Sequence, residues 1–241
     1  MALKELWRRR RGRWLTLDAY QESGGVARAL EELADKTYRG LPSDAHRRVA
    51  HNVFLRLTTL GDGVADTRRR VDRAELDLQG IDPRIVDETL AALSHSDARL
   101  IIADDQTYEV TQEAVIQQWS ELRRWLDDNR DRIRLHRQIS DRARAWEEAI
   151  KAHVHPTANS PAFSDADDST GILLRKGQLE DAETLAQVPG VQLTVREQAF
   201  LDASIRLREA EAQRIDEQRQ QELRHARVLA DEQAKVAEQQ R

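Results

Sequence analysis

The chain has 241 residues, of which 39% are hydrophobic and 34% charged, with 38 basic and 43 acidic side chains giving a net charge of −5. That apolar content supports one modest core and leaves part of the chain as solvated helix, while the near-balanced charge lacks the basic surplus of a general nucleic-acid binder. Cysteine is absent, which excludes a disulfide framework and thiolate metal sites. No run of 18 apolar residues is present and the first residues lack the apolar segment of a secretory leader, so the default expectation is a cytoplasmic chain without a membrane span.

In chain order, Leu3, Leu6 and Trp7 share one helical face, followed by Arg8 to Arg11 and a stop at Gly12, the cationic end and glycine cap of a helix that begins without a cap of its own. Val26, Leu30, Leu33 and Thr37 mark a second amphipathic helix after Gly24 and Gly25. Ser43 is placed to cap a helix that buries His46, Val49, Ala50, Val53, Phe54 and Leu57, and Gly61 and Gly63 end it. Thr67 to Val71 reads as a short strand. Asp72 and Glu75 have capping-box spacing for a brief helix through Leu78. Asp82 followed by Pro83 starts another helix, with Ile85, Val86, Leu90 and Leu93 inward. Residues 100–102 and 108–110 then flank a turn at Asp104, Asp105 and Gln106, a β-hairpin pattern. Helix, strand, helix, helix, strand, turn, strand is the order of a winged helix, a helix-turn-helix variant with a hairpin wing.

Val115, Trp119, Leu122 and Leu126 form the next helical stripe. A polar stretch from Asp127 to Asp131 interrupts it before Ile133, Ile139, Ala143, Trp146 and Ile150 continue the period. Trp119, Trp125 and Trp146 are expected to anchor these helices to the winged helix. Residues 155–171 have a linker composition, and a short helix is expected around Leu173 to Ala186. From Thr194 onward there is no Pro or Gly. Thr194 with Glu197 is another capping box, and Phe200, Leu201, Ile205 and Leu207 supply apolar grip. Beyond Arg208 the heptad seam of a coiled coil is missing, so this segment reads as a solvated helix laced with ion pairs.

Five strings occur in register: ELWRRRRGRWLTLDAYQESGGVARAL, FLRLT with TRRRV, YEVTQEAVIQQWSELRRWLDDNRDRIRLHRQISDRARAWE, LLRKGQLEDAETL, and EQAFLDAS. Together they resemble the tract of the bacterial novel STAND NTPases that lies between the ATPase core and C-terminal sensor repeats. The resemblance implies a mainly α fold: a winged-helix domain with a small β-hairpin sheet, packed helices and a long charged C-terminal helix. It implies residues 1–40 as the end of the helical lid of an ATPase core absent from this chain and 41–117 as a winged-helix domain. A helical extension follows at 118–154, a linker at 155–171, a short helix and loop at 172–193 and a long charged helix at 194–241. The function implied is a regulatory clamp and relay, coupling sensor repeats, often WD repeats, to a nucleotide-binding core. That core and those repeats are the implied partners, in cis if the gene is longer and in trans otherwise.

The departures from the family pattern matter as much. No G-x-x-x-x-G-K-[ST] phosphate cradle occurs, so no catalytic residue, metal site or cofactor is expected in this chain, and ATP or ADP is implied only for the missing core. Where the family places a phosphate-sensing histidine and an acidic residue after the second wing strand, this chain reads Thr111, Gln112, Glu113. Gln112 is the candidate cofactor-contacting residue, able to donate a neutral amide hydrogen bond but unable to become a cation.

Two other readings stand beside the clamp. One is a winged-helix DNA-binding regulator, but its recognition helix from Asp82 to Ser94 sets Arg84 against Asp82, Asp87 and Glu88, so nucleic acid is disfavoured. The other is an inactive fragment of a truncated gene. Among single features, Arg8 to Arg11 read as a solvated helix end and Arg68 to Arg70 as surface cations, one of which reaches an adjoining core in the clamp reading. His153 and His155 have strand spacing but lack a third metal ligand.

Overall fold

The computed structural model describes residues 25–154, 167–188 and 190–239. Among the described residues the fold is mainly α, with two small antiparallel sheets. The helix expected before Gly12 and residues Arg8 to Arg11 lie outside them.

Helix α1 spans Gly25–Arg39 and closes at Gly40, whose N–H bonds Lys36 O at 3.0 Å. Helix α2, Asp44–Arg56, starts where expected: extended Ser43 accepts from the His46 N–H. Its buried face is Val49, Ala50, Val53 and Phe54. Strand β1 (Thr58–Thr59) pairs with β2 (Thr67–Arg68) in a two-stranded sheet. Strand β3 (Val71–Asp72) belongs to the other sheet, in the order β3-β5-β4, with β4 at Ile101–Asp104 and β5 at Thr107–Val110. The β4–β5 turn holds Asp105 at φ 51°, a left-handed position that a short polar side chain tolerates. Helix α3, Pro83–Ser94, begins as its sequence requires, with Asp82 accepting from the Arg84 N–H at 2.9 Å.

Two expectations in this region are corrected. The single strand at 67–71 is split, because the Arg69 N–H bonds Leu57 O at 2.8 Å and carries the chain from one sheet to the other. The helix expected from Asp72 to Leu78 is a 3-10 turn, Arg73–Leu76, and Asp72 makes no side-chain cap. The Glu75 carboxylate that should have closed the capping box accepts from Arg69 instead, at 2.8 Å. Residues 77–79 are then drawn into extended pairing: Gln79 N–H to Leu193 O at 2.8 Å and Val195 N–H to Asp77 O at 3.0 Å.

Helix α4 (Glu113–Gln118) and α5 (Ser120–Asp128) are separated by extended Trp119, and α6 (Arg130–Val154) follows a break at Asn129, within the polar stretch expected to interrupt the helix. Helix α7 (Asp167–Ile172) begins inside the stretch read as linker. Helix α8 (Gly177–Ala186) starts later than Leu173, because Leu173 and Leu174 are buried and the Leu174 N–H bonds the Ser204 hydroxyl at 3.1 Å. In helix α9 (Val195–Gln239) every residue from Ala212 to Ala230 is exposed.

The apolar residues form two clusters. The first joins α1 to α5 with the three-stranded sheet, and centres on Trp119 and Phe54, both 0% exposed. Trp119 meets Tyr38, Phe54 and Trp125 edge-on at 5.9, 5.0 and 5.2 Å, arrangements that each add roughly 0.5–1.5 kcal/mol beyond burial. The second cluster comprises Ile139, Ala143, Leu179, Leu185, Phe200 and neighbours. Trp146 belongs here, 5.8 Å from Phe200, so only two of the three tryptophans anchor the first cluster. Helix α6 is the shared strut, giving Ile133 to the first core and Ile139 and Ala143 to the second.

Candidate functional site

The capping box at the start of α9 is present: Glu197 N–H bonds Thr194 Oγ1 at 3.1 Å, and Thr194 N–H bonds Glu197 Oε2 at 2.7 Å. The same carboxylate does much more. Glu197 is 2% exposed and receives both Arg56 terminal nitrogens at 2.9 Å, one to each oxygen. The Ser140 hydroxyl also donates to it, and His136 Nε2 lies 3.0 Å from Oε2. Arg56, itself buried, further donates to Gln192 O at 3.0 Å. The last residue of α2 is thus locked to the first turn of α9 and the middle of α6.

Burial alone would raise the Glu197 carboxyl, but the Arg56 charge and the His136 and Arg56 hydrogen bonds hold it well below the usual range. Burial pushes the His136 imidazole down, and the Arg56 charge pushes it further, against the pull of Glu197. His136 is therefore neutral near pH 7, and its Nε2 either donates to Glu197 or accepts from Arg56, which approaches to 2.9 Å.

Beside this junction lies a cleft of about 220 Å³ between α2 and α6. Arg56, Arg69, Arg132 and Arg137 line it together with His51 and His136 over an apolar floor of Leu55, Ile133 and Val191; no carboxylate lines it. Arg56 and Arg69 are neutralised by Glu197 and Glu75. Arg132 donates to Asn129 Oδ1 at 3.2 Å and Arg137 to Thr58 O at 2.6 Å, and neither has an ion-pair partner among the described residues.

Gln112 stands apart from both features. Its extended backbone precedes α4, its side chain makes no cap hydrogen bond, and it is exposed. Glu113 beside it is held by Arg68 at 2.7 Å. The arginine run on the strands is engaged within the fold: Arg68 with Glu113 and Glu109, Arg69 with Glu75, Arg70 with Glu109 and Asp104. His46 bonds Glu88 at 3.0 Å and Ser43 at 2.8 Å. The His153 side chain and His155 lie outside the described residues, among which no group of three or more His, Asp or Glu is placed to hold a metal ion. Around Gln112 the nearest cation named is Arg68, which is paired with Glu113 and Glu109.

The junction and the cleft were invisible in the sequence. Arg56 and Glu197 are 141 residues apart, and only the local half of the Glu197 role, the capping box, has a spacing to recognise.

A family model described as Novel STAND NTPase 1 matches residues 1–153. No curated protein matches, and no solved structure does.

Proposed function

The chain belongs to the novel STAND NTPase 1 family, and from that premise we propose that it is a regulatory clamp and relay that works against a nucleotide-binding core outside this chain. In this reading it hydrolyses nothing itself, since it lacks a phosphate cradle. Residues 41–117 are the winged-helix clamp, a reading supported by the element order from α2 to β5 and by the β3-β5-β4 strand order. The partners are a family ATPase core and sensor repeats.

The observation that carries the proposal is the Arg56–Glu197 junction. It ties the long charged helix, on the sensor side, to the last turn of α2, on the clamp side, so that displacing one displaces the other. DNA binding is less well supported. The exposed face of α3 carries Asp82, Arg84, Asp87 and Glu88, with Asp87 paired to Arg73 at 2.7 Å and Glu88 to His46, so a phosphate backbone would meet mostly carboxylates.

The test is association of the purified chain with a P-loop core of the same family, loaded with ADP or with a non-hydrolysable ATP analogue. Affinity differing at least about tenfold between the two states, equivalent to roughly 1.4 kcal/mol of coupling, is expected. Equal affinity in both states, or ATP turnover by the chain alone, overturns the reading. No described helix is long and apolar enough to cross a membrane.

A further inference from the structure

We propose that the cleft between α2 and α6 is a binding site for a small phosphate-bearing molecule, gripped by Arg132 and Arg137 and seated on Leu55 and Ile133. Charge supplies the first reason. Several arginines elsewhere in the fold are matched, among them Arg73 to Asp77 and Asp87, Arg130 to Asp66, Arg134 to Asp62 and Arg208 to Glu183. Arg132 and Arg137 alone among the four arginines that line the cleft lack a carboxylate within ion-pair distance among the described residues.

The nearby acids do not change that balance. Glu197 is taken by Arg56, Glu75 by Arg69 and Arg144, and Asp141 by Arg144 at 3.4 Å. Burial and the Arg69 charge both push the Arg137 guanidinium down, with Asp141 and Glu75 opposing only in part. Guanidinium groups that line one cleft with no carboxylate among its walls gain from an anion bound there.

Chemistry narrows the ligand. The guanidinium groups are donor-only and match the geometry of phosphate oxygens. The cleft, at about 220 Å³, is roomier than the ~150 Å³ that admits a benzene ring. That leaves space for a short organic body against Leu55 and Ile133. A compact phosphate monoester fits both halves better than bare phosphate.

The inference is independent of the clamp reading, and its test uses the chain alone. Isothermal titration with ribose 5-phosphate and with inorganic phosphate, at fixed ionic strength, should give one-site saturation by both, tighter for the ester. Arg132 is exposed at the cleft mouth, so R132M should fold normally and bind about tenfold more weakly, the loss of one charge-assisted contact. R137M should do the same, and R206M, on the exposed face of α9, should bind as the unaltered chain does. Absence of saturation by either compound, or unchanged affinity in R132M, overturns the proposal. Inorganic phosphate binding at least as tightly as the ester overturns the assignment of a monoester.

Discussion

Replacing Arg56 by Met tests whether the junction is an energetic unit. The guanidinium is 7% exposed and Glu197 2%, and removing one partner strands the other charge in the interior. Breaking a buried pair from one side costs about 3–5 kcal/mol, against which Met recovers part of the apolar packing. R56M should therefore lose about 3 kcal/mol. E197Q should lose a similar amount, since its amide group would turn a donor toward Arg56 while its oxygen can still accept from the Thr194 N–H. In the R56M/E197Q double variant neither stranded charge remains. Its loss should fall short of the sum of the singles by about 1–3 kcal/mol, the range of coupling for residues in direct contact. Urea denaturation of the four proteins, followed by tryptophan fluorescence and by circular dichroism, gives each quantity. Additivity within about 0.5 kcal/mol would refute the reasoning, because it would mean that Arg56 and Glu197 are worth no more together than apart.

Three further outcomes are expected. Trp119→Ala should cost about 3–5 kcal/mol, because it removes the centre of the aromatic cluster and leaves Asp35 Oδ1 without its 2.8 Å indole donor; a thermal midpoint unchanged within 2–4 °C, the shift expected for only ~1 kcal/mol, would contradict it. Stability should fall as pH drops below about 6.5, because His51 and His136 are both pushed down by burial and the unfolded chain takes up protons there that the folded chain refuses. Glu197, depressed in the fold, adds a second loss below about 4.5; urea midpoints across this range should show a shallower first slope in H136Q. Gly61→Ala should cost about 1–3 kcal/mol and sensitise residues 61–66 to proteolysis, since its Cβ would lie 2.2 Å from Val64 O in a loop that Arg130 pins through Gly61 O and Asp66.

Features decided within one turn of chain were legible in the sequence. Ser43, Asp82 with Pro83, and Thr194 with Glu197 each declare a helix start because the donor to be satisfied lies two or three residues away. The hairpin at 101–110 was legible for the same reason. Asp72 and Glu75 show where this logic fails. They have the same spacing, yet Glu75 finds a stronger partner in Arg69, and the pull of residues 193–195 on 77–79 holds the backbone extended. No local spacing encodes a competition settled by a segment more than a hundred residues away.

The candidate site divides along the same line. Gln112 stands out only by its position within a pattern, and the fold leaves it exposed and without a cap partner. The residues that couple the two cores come instead from α2, α6 and α9, and none is unusual in its own neighbourhood. Their arrangement bears on what a relay requires. A joint made of surface ion pairs would yield gradually, each pair being worth about 0–1 kcal/mol. At Glu197 the ion pair with Arg56, the bond from Ser140, the contact with His136 and the cap on Thr194 converge on two buried oxygens. Rotating α9 away from α2 by a small angle would strand several of these groups together, so partial displacement is the costly state and the closed and released states are the favourable ones. In the proposed relay, a joint with that property would transmit a movement whole or not at all.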